Sequence, residues 1–453
     1  MSYLNNGGIL MNKFDVVILG AGPGGGALAY ALKAQDLKVA VVEENLWGGT
    51  CPNRGCDPKK VLLAAVDARR HSQYLEGNGL KKAPEIDWPA LIKFEKTFTD
   101  PVSEGTKTGL KNAGITVIDG SVKFVDKHTI FANDQKVTAD KFVIATGARP
   151  GLLEVDGKHH FKTSTDFLQM TQMPKTVTFV GGGYIAFEFA AIASAAGAQV
   201  HIVHHNDRPL KAFPQADVQR LVHQLKEVGV QFHFGVDISR IEKNETGYEL
   251  ISAQGFSLQT DQVFCTAGRI PNDDTLALEK AGVKYSKKGI EVDDHLRTTA
   301  ENIYALGDVV DKTQPKLTPV SGFEAHYLAE LFGGHDKSIR YPAIPTVIYG
   351  DPRLAMVGVN ADEAQKQTSI YKVSDMDITG WFTYRRLNEP LAHATVITSK
   401  KTGAVVGASL MSSEADDLIN YFAMAINRQL TPESLKETIF AYPTAASDLT
   451  YFM

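Results

Sequence analysis

Residues 14–33 read Phe14-Asp15-Val16-Val17-Ile18-Leu19-Gly20-Ala21-Gly22-Pro23-Gly24-Gly25-Gly26-Ala27-Leu28-Ala29-Tyr30-Ala31-Leu32-Lys33. The β-branched run Asp15 to Leu19 predicts a strand, the glycines around Pro23 a turn, and the alanine-rich stretch Ala27 to Lys33 a helix. Gly20, Gly22 and Gly25 form G-x-G-x-x-G, with Gly24 beside them. That pattern suits a tight turn, close backbone approach to a pyrophosphate, and helix packing on the strand, with phosphate on the helix N-terminus. Glycines that only shape a turn would give the same letters. What favours a nucleotide is the next apolar run, Val39 to Val42, ending in Glu43, eighteen residues after Gly25. A carboxylate there can accept from ribose hydroxyls.

The same order recurs 161 residues later, as Thr176 to Val180, then Gly181-Gly182-Gly183-Tyr184-Ile185-Ala186, then small residues through Ala196. A period that long is a duplicated dinucleotide-binding unit, not a solenoid. Two adjacent dinucleotide sites most simply hold a flavin and a nicotinamide, between whose rings hydride can pass. The strand Gln199 to Val203 ends in His204, where NAD-selective proteins carry an acid. His205, Arg208 and Lys211 follow, a cationic cluster able to pair with a 2′-phosphate. That favours NADPH over NADH, although the same residues also suit a plain solvated loop.

At 453 residues the chain has room for about three domains of roughly 150 residues. With 43% hydrophobic and 22% charged residues it sits among globular enzymes. Its 47 basic and 52 acidic residues leave a net charge of -5, so no broad basic face points to nucleic acid. The absence of an apolar run of about 18 residues argues against a membrane partner. Met1 to Lys13 has no charged segment leading into an apolar one, and Met11 reads as an alternative start. Together with only three cysteines, this suggests a cytoplasmic, reducing setting. No metal-ligand set is read from the sequence.

Two of the cysteines fall in Gly48-Gly49-Thr50-Cys51-Pro52-Asn53-Arg54-Gly55-Cys56-Asp57-Pro58-Lys59-Lys60, ahead of the apolar stretch Val61 to Val66. Pro58 suits a first helical turn, placing Cys56 at a positive dipole end that favours its thiolate. This is a redox pair by position, rather than two structural core thiols. Asp57 reads as the helix N-cap. Cys265, in the apolar run Gln262 to Thr266, reads as a small core residue.

The cysteine segment resembles the redox-active C-x-x-x-x-C of the FAD-dependent pyridine nucleotide-disulfide oxidoreductases, the family of glutathione reductase, dihydrolipoamide dehydrogenase and mercuric reductase. Similar signatures continue as Ala145-Thr146-Gly147, Gly183 to Glu188, Ala267-Gly268-Arg269-Ile270-Pro271-Asn272, Tyr304 to Asp308, and Ile344-Pro345-Thr346 with Val357-Gly358. The resemblance implies an α/β fold with two Rossmann-like dinucleotide-binding domains and a C-terminal α+β dimerisation domain. It places FAD in 11–150 and 271–338, NAD(P) in 151–270, and the interface of a homodimer in 339–453. Asp308 would hold the ribityl chain and Thr318 the isoalloxazine edge. Glu188 would meet Lys59 or Lys60 near flavin N5. Cys56 would be the thiolate in charge-transfer contact with the flavin, and Cys51 the interchange thiol. The glycine loops, Pro23, Glu43, Gly49, Thr50, Thr146, Gly147, Tyr184, Ile185, Gly268 and Arg269 complete the implied cofactor set, with His205, Arg208 and Lys211.

The chain departs from that pattern at its C-terminus. Most disulfide-reducing members resemble one another in a His-Pro-Thr segment with an acid five residues on. Here Tyr442 takes the histidine's place and Ser447 the acid's, with Asp448 one position further. A phenol ordinarily titrates near pH 10, so Tyr442 is a poor proton shuttle at neutral pH. Tyr30 and His326 stand where glutathione reductases carry arginines, which disfavours glutathione. The missing histidine–acid pair disfavours dihydrolipoamide, and the lack of a C-terminal cysteine pair disfavours mercuric ion reduction. The leading reading is electron transfer from NADPH through FAD and Cys51–Cys56 to a small-molecule disulfide or other thiol-reactive acceptor. The alternative is an NAD(P)H oxidase or diaphorase with an idle cysteine pair.

Overall fold

The computed structural model describes residues 12–133 and 135–452, which divide into two compact units. Met11, read above as a start and a domain edge, lies outside the described residues.

The first unit comprises 96–149, 269–340 and the chain up to Pro58. Its sheet runs in the order Thr116–Asp119, Val39–Glu43, Asn12–Leu19, Gln135–Ile144, Thr129–Ala132, Val122–Asp126, with Ile303–Ala305 also on Gln135–Ile144. Asn12–Leu19 is parallel to both neighbours, pairing Val16 with Val39 and Leu19 with Ile144. A parallel pair needs a crossover, which the helix Pro23–Lys33 supplies. Val17 and Leu19 enter one core and Val16 and Ile18 another, the two-residue period of a strand buried on both faces. On the second of those faces Leu28, Ala29 and Leu32 pack with Ala325, Leu328 and Ala329 of the helix Thr318–Phe332.

The first helix begins at Pro23 rather than near Ala27. Proline pre-sets the first turn, and tertiary packing draws Gly24 and Gly25 into it despite their weak propensity.

The second unit comprises 59–95, 150–268 and 341–453. A parallel sheet orders Gln231–Phe234, Gln199–His204, Thr176–Val180 and Gln262–Cys265, with the crossover helix Tyr184–Ala195. Phe167, Phe179, Phe189 and Phe264 fill its core, and Phe167 stacks on Phe189 at 4.1 Å. Cys265 is buried in a second core with Phe161, Val180 and Val263, its thiol donating to the Gly151 carbonyl at 3.3 Å, as a core residue should. Residues 346–412 add a five-stranded antiparallel sheet ordered Thr346–Ile348, Arg353–Gly358, Val405–Ser412, His393–Ser399, Tyr371–Asp377. The helix Ala415–Asn427 buries Leu418, Ile419 and Phe422 against it. Among the described residues no helix is long and apolar enough to cross a membrane.

Candidate redox site

The two glycine loops are each tied down by the side chain that ends the following strand. Glu43 accepts from the Ala21 N–H at 2.9 Å and, through its other oxygen, from the Asn45 N–H at 2.8 Å. Burial raises its carboxyl above the usual range, and these backbone donors oppose that rise. His204 does the same in the second loop, where its Nδ1 accepts from the Gly182 N–H at 3.1 Å. Burial, then the charge of His205, hold His204 below its ordinary value, in the neutral form able to accept. Both contacts span 22 residues. Reading the duplication residue by residue would have exposed the role of His204.

Both helices that follow these loops start at a glycine, Gly22 or Gly183, with no side-chain cap. Their first N–H groups are therefore left for an anion. The space is kept by absent side chains. A Cβ on Gly25 would lie 2.1 Å from the Gly20 carbonyl oxygen, and one on Gly49 would lie 2.6 Å from the Gly22 Cα. Gly20 and Gly181, at φ 108° and 126°, make the turns that few other residues can. These residues fit a dinucleotide at each loop. Pro23 opens the first helix, while Tyr184 and Ile185 open the second.

Other expected cofactor residues hold backbone. Thr146 Oγ1 donates to the Asn272 carbonyl at 2.6 Å, Asn272 donates back to the Thr146 carbonyl at 2.8 Å, and the Gly147 carbonyl accepts from Asn272 N–H at 3.0 Å. Arg269 bonds the Ala148 carbonyl, and the Gly268 carbonyl accepts from Gly151 N–H at 3.0 Å. Asp308 is half-buried in the turn Gly307–Val309, its carbonyl accepting from Lys316 at 2.8 Å. Glu324, fully buried and paired with Lys312 at 2.5 Å, fixes that turn by accepting from Gly307 N–H at 2.6 Å. Sequence reading passed over Glu324; its only signal was an acid on the apolar face of a helix.

Thr50 opens a short helix, Thr50–Arg54, that carries Cys51; Asn53 clamps it by donating to the Trp47 and Gly49 carbonyls at 3.0 and 2.9 Å. Gly55 breaks the chain direction, and Cys56 is the first residue of the helix Cys56–Tyr74. The two thiols are hydrogen-bonded to each other. That bond first, then burial, pushes the Cys51 thiol up, opposed by a hydrogen bond from Thr318. Thr318, expected at the flavin edge, here reaches Cys51.

Asp57 lies within the first turn of that helix, so the cap reading is corrected. The helix starts at Cys56, two residues before the Pro58 that a cap at Asp57 would require, and the Asp57 carboxylate turns to accept from the Cys51 thiol at 3.8 Å.

The sequence alone leaves two partners open for Glu188, Lys59 and Lys60. Glu188, 1% exposed, pairs with Lys59, and its other oxygen accepts from Tyr349 N–H at 3.0 Å. Lys60 sits over the Tyr349 ring. At the C-terminus, Tyr442 is 77% exposed. Ser447 accepts and donates within a capping box with Thr444. Asp448 is buried, hydrogen-bonded by Thr383, and raised by burial. On the second loop His205, Arg208 and Lys211 are all exposed, and Arg208 keeps a loose 3.6 Å contact with Asp362.

The comparisons with known proteins agree with this arrangement. The chain is 30% identical to a glutathione reductase of Burkholderia cepacia, over 96% of this chain and 97% of that one. It is also 30% identical to a dihydrolipoyl dehydrogenase of Geobacillus stearothermophilus, over 95% and 93% of the two chains. The solved HOCl-induced flavoprotein disulfide reductase RclA of Escherichia coli is similar with a TM-score of 0.88 at 26% identity, over 97% of this chain and 99% of that one. Residues 14–325 match the family described as pyridine nucleotide-disulphide oxidoreductase, and 344–451 match its dimerisation domain. With uncapped glycine loops, a cysteine pair at a helix start and near-complete coverage pointing one way, the chain belongs to the pyridine nucleotide-disulphide oxidoreductase family.

Proposed function

We propose that this protein passes two electrons from NADPH, through FAD, to Cys51–Cys56 and on to a small-molecule disulfide or other thiol-reactive acceptor. The observation that carries this reading is the hydrogen-bonded thiol pair at the start of the helix Cys56–Tyr74. When bound, FAD supplies the relay between a hydride donor and a disulfide. The residues Gly20 to Gly25 and Glu43 bind its nucleotide end, while Gly181 to Ile185 bind the nicotinamide dinucleotide. Cys51 attacks the acceptor and Cys56 resolves the mixed disulfide, regenerating Cys51–Cys56. The proposed division is FAD in 11–150 and 271–338, NADPH in 151–270, and pairing of two copies through 339–453, in a cytoplasmic homodimer. The relatives' names support a disulfide as acceptor class.

Anaerobic titration of the purified protein with NADPH tests it. One equivalent should produce long-wavelength absorbance from the Cys56 thiolate beside a flavin still largely oxidised. Bleaching of the flavin without that band removes the cysteines from the path and leaves oxygen or quinone as acceptor.

NADPH preference rests on His205, Arg208 and Lys211. Their exposure suits a phosphate that arrives from solvent. Changing Arg208 and Lys211 together to alanine should lower the ratio of kcat/KM for NADPH over NADH by about tenfold or more, since each bond to a charged group contributes about 1.5–3 kcal/mol. An unchanged ratio would mean the cluster is only a solvated loop.

A further inference from the structure

The proposed attack by Cys51 requires something to take its proton, and the proposal here rests on that reading. Three groups act on the Cys51 thiol from the elements packed around it: the Cys56 thiol, the Thr318 hydroxyl and the Asp57 carboxylate. A threonine hydroxyl is no base near neutral pH, and Cys56 is needed as a nucleophile in the next step. Asp57 is the remaining group, and the Cys51 Sγ–H already points to its Oδ1 across 3.8 Å. Its place in the helix's first turn is also favourable for a carboxylate. Elsewhere in the chain, the C-terminal segment offers the exposed Tyr442 and an Asp448 turned into the core.

We propose that Asp57 is the catalytic base for Cys51, and the acid for the first leaving thiolate. In the first step the proton passes from Cys51 Sγ to the Asp57 carboxylate as Cys51 Sγ attacks one sulfur of an acceptor disulfide. A Cys51–acceptor sulfur bond forms, the acceptor's own S–S bond breaks, and the departing thiolate takes the proton from Asp57. In the second step the Cys56 thiolate attacks Cys51 Sγ. The mixed disulfide breaks, Cys51–Cys56 forms, and the second acceptor thiolate takes a proton from water. The dithiol has lost two electrons and the acceptor disulfide has gained them.

A carboxylate that merely repelled a thiolate would have the opposite effect on turnover, and this separates the two roles. The NADPH-reduced holoenzyme and its Asp57→Asn variant are compared by two measurements at pH 7. One is turnover of 2-hydroxyethyl disulfide. The other is the rate of iodoacetamide alkylation at Cys51, read on the Cys51 peptide apart from Cys56. Removing the base should slow both: alkylation because Cys51 must lose the same proton to attack, and turnover by about a hundredfold, the order contributed by general acid–base catalysis, because the leaving thiolate also loses its acid. Asp57→Glu should recover part of the turnover. If D57N is alkylated faster and turns over at least as fast as the parent, Asp57 is only a repelling charge; if both rates fall and the long-wavelength band is lost with them, the change has disordered the cysteine segment. Either result overturns the proposal. Cys51→Ser in the same assay tells the two levels apart. Surviving turnover there removes the function proposed above and this inference with it, whereas a dead C51S beside an active D57N removes this inference alone.

Discussion

Replacing Cys51 with serine is expected to lower disulfide turnover by about 10³-fold or more, the order lost when one member of a catalytic unit is removed. Serine fills nearly the same volume, and Cys51 is only half-buried, so the helix Thr50–Arg54 and its Asn53 clamp should survive. What is lost is the nucleophile, because a serine hydroxyl stays protonated where a thiol can ionise. FAD content and flavin reduction by NADPH should be unchanged, since neither uses the Cys51 sulfur. The long-wavelength band should persist, and strengthen if Cys56 then remains a thiolate after one turnover of reduction. Cys56→Ser should instead remove the band and leave Cys51 able to form a mixed disulfide that is not resolved. If C51S keeps more than a tenth of parental turnover with a clean disulfide substrate, the pair is idle and the flavin reduces its acceptor directly.

The parts of this site that were legible in the sequence are those set by local backbone geometry. Gly20, Gly22 and Gly25 announce their turn because a side chain at Gly20 or Gly25 would strike backbone, and few residues other than glycine adopt φ 108°. The strands are legible because Val16 to Leu19 is apolar without a break, as a strand covered on both faces must be. Contacts made by folding were not legible. Lys59 and Lys60 are adjacent on one helix and differ by about 100° in direction. Only packing decides that the first meets Glu188, 129 residues away. Asp57 was misjudged through a two-residue error in the helix start, within the one or two residues by which helix ends vary. That shift converts a capping side chain into one that faces a thiol. His204 was seen as a missing acid, when its position relative to Gly182 repeats that of Glu43 relative to Ala21.

The Lys59–Glu188 pair carries the second large effect, and it falls on stability. Glu188 is 1% exposed and lies on the helix Tyr184–Ala195, whose other buried positions are apolar. A carboxylate in that setting is tolerated because Lys59 supplies charge and Tyr349 N–H supplies a donor. Lys59→Met keeps the length of the side chain but strands the negative charge, and breaking a buried pair in this way costs about 3–5 kcal/mol. The thermal midpoint should fall by several degrees, at fixed protein concentration and scan rate. Lys60→Met, one residue along, leaves Glu188 paired and removes a contact with the Tyr349 ring, with an expected loss of about 1 kcal/mol. Adding Glu188→Gln to K59M removes the stranded charge while keeping an acceptor for Tyr349 N–H. The double variant should therefore be more stable than K59M alone, the sign of coupling between neighbours in a double-mutant cycle. If the two changes simply add, the carboxylate is not what makes K59M unstable, and the loss belongs to packing of the lysine stem. A larger loss for K60M than for K59M would reverse the assignment of the two lysines.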